Sequence, residues 1–367
     1  GVHSAAGSYS ASSGGLKARS TLPVYQRQIF PERVLGEAAH DGQTVWENDG
    51  LRLWVLPQMD AEIAILSVKT KNHTLGLDVI VGVPEAIAFA ETKYRAVVVW
   101  HEAPFAFGAN LKEVTAAIQS GQFELLEAFV ADFQKASMAL KYARIPVVAA
   151  VQGMALGGGC EFLIHCAKRV LACESYIGLV EAGVGLIPAG GGCKEFAIRA
   201  WQSAARTAGN DPFEFIQPIF STIAMAAVSR SAAHARELGF VLESDTVVFN
   251  PRELLYVALC EARALAEAGY CPKLSPRQIK VAGRTGIANC EMMLLNMKEG
   301  GMISVHDYAV AKAAATALCG GDVETGSLVD EDWLLRVERT LFVELLKNEK
   351  TQQRIAYTLE NGKPLRN

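Results

Sequence analysis

The chain has no apolar run near the roughly 18 residues that a membrane-spanning helix needs, so no insertion into a bilayer is expected. It also lacks a charge excess: 35 Lys and Arg stand against 39 Asp and Glu, a net charge of −4, which gives no reason to expect nucleic acid or an anionic surface as partner. Its eight cysteines form no C-x-x-C pair and show no metal-ligand spacing, so no metal is expected. They read instead as reduced, mostly buried thiols of a cytoplasmic protein. The seven histidines are scattered with no base–orienter arrangement, and His73 and His165 read as structural. No G-x-G-x-x-G follows a strand, which excludes the usual nicotinamide-binding turn. What the 367 residues do contain is apolar bulk: half are hydrophobic and a fifth charged, enough for one large domain with extensions or for two.

The most informative segment is Ala155-Leu156-Gly157-Gly158-Gly159-Cys160-Glu161, with a second carboxylate at Glu181. A strand-like run over 145–151 leads into it and an apolar helix-like run follows, giving strand, tight loop, helix. Glycines that open a helix leave first-turn N–H groups without intrahelical acceptors, where developing negative charge on a substrate oxygen can be stabilised. Glu161 lies three residues after Gly158 and shares its helix face, so one turn supplies both an amide donor and an acid/base group. A glycine-rich tight turn beside a solvated glutamate is the bland reading of the same residues.

Three motifs in order point further. Residues 150–161 are similar to A-V-N-G-x-A-x-G-G-G-x-E. Glu181 falls where a Pro-Glu pair follows about twenty residues later, and 185–192 resemble G-x-x-P-G-x-G-G. Earlier, Phe105-Ala106-Phe107-Gly108-Ala109-Asn110-Leu111-Lys112-Glu113 resembles F-x-x-G-A-D-I-K-E. The chain thus resembles the enoyl-CoA hydratase/isomerase (crotonase) superfamily, well over about 50–245 and loosely elsewhere. The resemblance implies an α/β fold, a crotonase-like spiral of repeated ββα units with a C-terminal helical region. It implies an oxyanion hole from the backbone amides of Ala109 and Gly158. Glu161 corresponds to the base acting on water and Glu181 to the group exchanging the α-proton. Asn110 replaces the family's aspartate, with little consequence expected because the neighbouring amide is the functional part. Phe107, Lys69, Lys71, Lys112 and Lys363 fall where relatives contact substrate or the coenzyme A phosphates. No cofactor is implied, since coenzyme A belongs to the acyl-CoA thioester substrate.

Both glutamates together favour a hydratase of fatty-acid β-oxidation. A Δ3-Δ2-enoyl-CoA isomerase, which needs one glutamate, is the alternative. An interaction or oligomerisation module is the non-enzymatic reading. The chain opens on Gly1 rather than Met, and Ser/Gly-rich 4–15 reads as a flexible linker, with 24–50 an irregular lead-in. These features resemble the C-terminal hydratase half of a bacterial fusion. Its N-terminal 3-hydroxyacyl-CoA dehydrogenase would be missing here, a thiolase would be a possible further partner, and the chain a possible homo-oligomer. The expected organisation is 1–50 linker and lead-in, 51–245 catalytic core, and 246–367 a helical region covering the acyl pocket. Expected strands lie at 51–56, 64–68, 95–100, 147–151 and 169–172. Helices are expected at 77–91, 123–142, 253–267, 292–297, 306–318 and 332–346, with an insertion at 201–219.

Overall fold

Period-2 alternation in runs of small and β-branched residues builds the central sheet. Val97 and Val99 face one side and Ala96 and Val98 the other; Val147, Ala149 and Val151 likewise oppose Val148 and Ala150. Both faces are therefore apolar, the pattern of parallel strands covered on each side. In the computed structural model of the chain, residues 3–4, 7–18, 21–29 and 42–367 are described. Seven strands lie in the order Thr246–Val248, Lys168–Gly178, Val147–Leu156, Ala96–Val99, Asp60–Val68, Leu51–Leu56 and Gln43–Glu47. The first five run parallel, with Val98 opposite Val148 and Ala150 opposite Val170, and Leu51–Leu56 is antiparallel to both of its neighbours.

One face is covered by the helices Leu77–Ala90, Phe123–Lys141 and Gly158–His165, which share its core. The other packs Trp54, Ile65, Val98 and Val148 against Leu254, Leu255, Ala258 and Leu259 of the helix Leu254–Glu267. Four more helices, Gly283–Glu299, Val305–Leu318, Glu331–Leu346 and Glu349–Asn361, complete the C-terminal part. Among the described residues no helix is long and apolar enough to cross a membrane.

The expected strands and long helices are present, most within a few residues at each end, and the glycine-led loops fall at the C-terminal ends of parallel strands. Two expectations are corrected. Within 1–50, Gly7–Ser10 pairs antiparallel with Gly15–Lys17. Gln43–Glu47 joins the main sheet because Asn48 Oδ1 accepts from the Gly50 and Leu51 amides and closes the turn into the next strand. Residues 30–41 of the expected lead-in lie outside the described residues. Second, position 245 divides nothing: Thr246–Val248 is the sheet's outer strand and the following helix covers its face. The segment 201–219, expected as an insertion, is built into the packed fold. It runs from the end of the helix Gly192–Ala204 into Phe213–Ala224, which buries Ile216, Ile219, Phe220 and Ile223 at helical spacing.

Trp54 anchors the second face. It is 1% exposed, lies 6.2 Å ring to ring from Trp100, and donates Nε1–H to Ser67 Oγ at 2.9 Å. Trp54→Ala should lower unfolding free energy by about 3–5 kcal/mol, measured as a reduced midpoint in urea at unchanged slope.

Candidate active site

Three parallel strands end on one side of the sheet and each delivers a functional loop. After Ala96–Val99 the chain reaches 104–110, which is stitched to the neighbouring strand: Ala106 N–H donates to Met154 O (3.0 Å) and Leu156 N–H to Ala106 O (2.9 Å). Gly108 has φ +86°, and a Cβ there would sit 3.0 Å from Leu156 O and 3.1 Å from Gly158 N. Only glycine allows the two loops to approach so closely. Leu75 then fixes the direction of the Ala109 amide. Leu75 N–H donates to Gly108 O (2.9 Å) and Asn110 N–H to Leu75 O (3.2 Å), so Ala109 is skipped. Gly158 is the first residue of its helix, where an N–H has no intrahelical acceptor. Among the described residues neither amide has a hydrogen-bond acceptor. Asn110 keeps the loop firm despite the departure from aspartate: its Oδ1 caps the helix Leu111–Gln119 at the Lys112 amide, and its Nδ2 donates to Glu113 Oε1 at 2.6 Å.

Glu161, 3% exposed, is held by the main chain: Gly192 N–H donates to its Oε1 at 2.8 Å. The run Gly190-Gly191-Gly192 is shaped around this carboxylate. A Cβ on Gly190 would meet a Phe133 ring carbon at 2.4 Å and Glu161 Oε2 at 2.6 Å, and one on Gly192 would meet Oε1 at 2.8 Å. Burial pushes the Glu161 carboxyl up to about 7, against the pull of the Gly192 and Gly190 amides and the Lys194 ammonium. Glu181 opens a short 3₁₀ turn, Glu181–Val184. The residue keeps partial solvent access, yet its Oε2 is buried without a hydrogen-bond partner. Burial, and then the Glu161 charge, drive its carboxyl well above the ordinary range.

Ala109, Gly158, Glu161 and Glu181 line one cavity of about 210 Å³, walled by apolar side chains that include Phe107, Phe133 and Leu186. Phe342 and Thr358 reach it from the C-terminal helices. Two larger clefts, of about 740 and about 700 Å³, contain neither glutamate. Convergent polar groups, not volume, single out the smaller one.

The lysine expectations fare differently: none of Lys69, Lys71, Lys112 and Lys363 lines this cavity. Lys69 is committed to Glu47 at 3.2 Å, and Lys71 lies exposed in the turn Lys71–His73. Lys112 and Lys363 are exposed on neighbouring elements, since the helix Glu349–Asn361 packs on Leu111–Gln119. Among the described residues no cluster of three or more His, Cys, Asp or Glu is arranged to hold a metal.

Beneath the site lies an ionic group that the sequence reading missed. Lys141 Nζ lies 2.7 Å from Glu195 and 2.9 Å from Glu331; Lys194 Nζ lies 3.2 and 3.0 Å from the same carboxylates. His165 Nδ1 donates to Glu161 O at 2.6 Å, which leaves Nε2 as acceptor for Lys194 Nζ at 2.9 Å. Burial alone would raise Glu331, but Lys194 and Lys141 outweigh it and bring the carboxyl down to about 2. Lys141 and Glu331 are 190 residues apart, so no local pattern announces the pair.

Residues 62–208 match the family described as Enoyl-CoA hydratase/isomerase. A curated relative from Bacillus subtilis (strain 168), described as a probable 3-hydroxyacyl-CoA dehydrogenase, is 39% identical over 307 residues, 83% of this chain and 38% of that protein. The chain therefore spans under two fifths of that relative. The mitochondrial methylglutaconyl-CoA hydratase of Homo sapiens is 28% identical over 201 residues, covering 53% of this chain and 58% of that one. A crystal structure of enoyl-CoA hydratase from Bacillus halodurans aligns at a TM-score of 0.56 and 15% identity over 84% of this chain and 99% of that chain, a likeness of fold. Both amides and both glutamates fall within the residues 62–208 that match the enoyl-CoA hydratase/isomerase family.

Proposed function

We propose that the chain is an enoyl-CoA hydratase that reversibly adds water to a trans-2-enoyl thioester, giving the 3-hydroxyacyl thioester, in fatty-acid β-oxidation. One observation carries the reading: two buried carboxyls share a cavity with two main-chain amides that have no acceptor among the described residues. The thioester oxygen accepts from the Ala109 and Gly158 N–H groups. As the water oxygen bonds to the β-carbon, the double-bond electrons move toward that oxygen and form an enolate. Loss of one such donor costs about 3 kcal/mol of transition-state stabilisation. Ionised Glu161 takes the proton from water, and protonated Glu181 gives its proton to the α-carbon. Both carboxyls act within one small cavity, which favours addition of H and OH to the same face. The proton left on Glu161 returns to Glu181 by way of solvent before the next turnover, which closes the cycle without a metal or redox cofactor, because coenzyme A arrives with the substrate.

Two further features support the wider context. The product class is the one named in the Bacillus subtilis relative, of which this chain spans 38%, in keeping with a 3-hydroxyacyl-CoA dehydrogenase acting in the same polypeptide. All eight cysteines are free, which suits a reducing compartment such as the cytoplasm.

The test follows absorbance of the conjugated enoyl thioester on this chain. Glu161→Gln and Glu181→Gln should each lower kcat by about 10²–10⁴-fold, while an acyl-CoA analogue still binds. An isomerase would tolerate one of the two changes, and a wild-type chain with no turnover would overturn the reading. The pH profile has a definite sign. Glu161 works ionised and titrates near 7, so kcat/KM should rise as pH rises through about 7. It should fall again at higher pH, where Glu181 loses the proton it donates.

A further inference from the structure

The helix Glu331–Leu346 brings a third carboxyl to the base of this site. Glu338 is fully buried and does not line the cavity. Its Oε2 accepts from the Lys194 amide at 2.8 Å, two residues along the same helix from the Gly192 amide that holds Glu161 Oε1 at 2.8 Å. Two carboxylates therefore end on one helix N-terminus, that of Gly192–Ala204. On its other side Glu338 Oε1 accepts from Gln134 Nε2 (3.1 Å), and Gln134 Oε1 in turn accepts from Arg339 (2.8 Å). Gln134 is chain neighbour to Phe133 of the cavity wall.

The charged and titratable groups around Glu338 are few. Glu161, Glu181 and the Cys193 thiol face it from neighbouring elements. The nearby Lys194 ammonium is engaged by Glu195, Glu331 and His165. Arg339 reaches it only through Gln134. A helix N-terminus offers about half a positive charge, too little for two full anions in a dry setting.

We infer that Glu338 and Glu161 share one proton across the N-terminus of the helix Gly192–Ala204, which makes Glu338 a positioning residue for the base. The inference rests on the reading of Glu161 as that base. Burial, followed by the Glu161 charge, raises Glu338 to about 8, close to the value near 7 for Glu161, so the two titrate as a pair near neutrality. The productive arrangement has the proton on Glu338 and the charge on Glu161.

Glu338→Gln imposes that arrangement permanently while keeping the shape. The acid limb of kcat/KM should move down as the competing form with the charge on Glu338 is lost, with KM unchanged within about twofold. A residue that only supports the fold would scale activity at every pH and leave the limb in place, and that result would overturn the inference. A second readout avoids both turnover and the variant's stability. Difference infrared spectra across pH 6–9 follow protonated carboxyls in wild type and in Glu161→Gln. Because the Glu161 charge raises Glu338, its removal should lower the Glu338 midpoint. An unmoved midpoint overturns proton sharing even if Glu338→Gln does not fold. If the wild type fails to hydrate enoyl thioesters, the functional reading falls, and the infrared shift still decides the sharing.

Discussion

Main-chain amides, not cations, hold the negative charge at the centre of this molecule. Gly192 N–H reaches Glu161 directly, whereas the nearest ammonium is turned toward Glu195 and Glu331. An amide in a helix cannot swing away or exchange its proton during a reaction, so the carboxylate keeps a fixed orientation. The constraint is steric as well as electrostatic. Positions 190 and 192 admit no Cβ without striking Phe133 or Glu161 itself. The ionic group below is balanced, two lysines against Glu195 and Glu331, and loss of any member would strand an uncompensated charge in the core.

The sheet turns this constraint into a site. Parallel strands covered on both faces carry their functional loops at their carboxyl ends, where crevices of α/β sheets form. The loop that carries Ala109 is pinned by backbone bonds to Met154 and Leu75, and the start of the Glu161 helix by Gly157 N–H donating to Gly178 O at 2.8 Å. The C-terminal helices then close the cavity with Phe342 and Thr358.

What could be read in the sequence was local. The glycines at 157–159, Glu161, Glu181 and the segment around Ala109 announce themselves because backbone geometry restricts which residues fit. The buried strands are equally plain from runs such as Val147 and Val148 followed by Ala149 and Ala150. The strand Gln43–Glu47 escaped notice because its pairing depends on the Asn48 turn. The helix Glu349–Asn361 was hidden by its polar composition. It buries only Thr351, Arg354 and Ile355, and Arg354 is held by Asp307 at 2.9 Å. The lysines lie outside the cavity lining, and an exposed cation has no local signature of what it faces. Lys141, Lys194, Glu331 and Glu338 could not be foreseen, since only the tertiary fold brings them together.

The 3₁₀ turn that carries Glu181 has its own distant anchor. Thr351, fully buried, donates Oγ1–H to Gly185 O at 3.0 Å and lies 3.0 Å from His306 Nε2. Glu161 is thus fastened within the sheet-and-helix core, whereas the backbone bearing its counterpart hangs from a polar helix near the opposite end of the chain. Warming that loosens this last helix would separate the pair while the seven strands stay intact, so competence and compactness need not vanish at the same temperature.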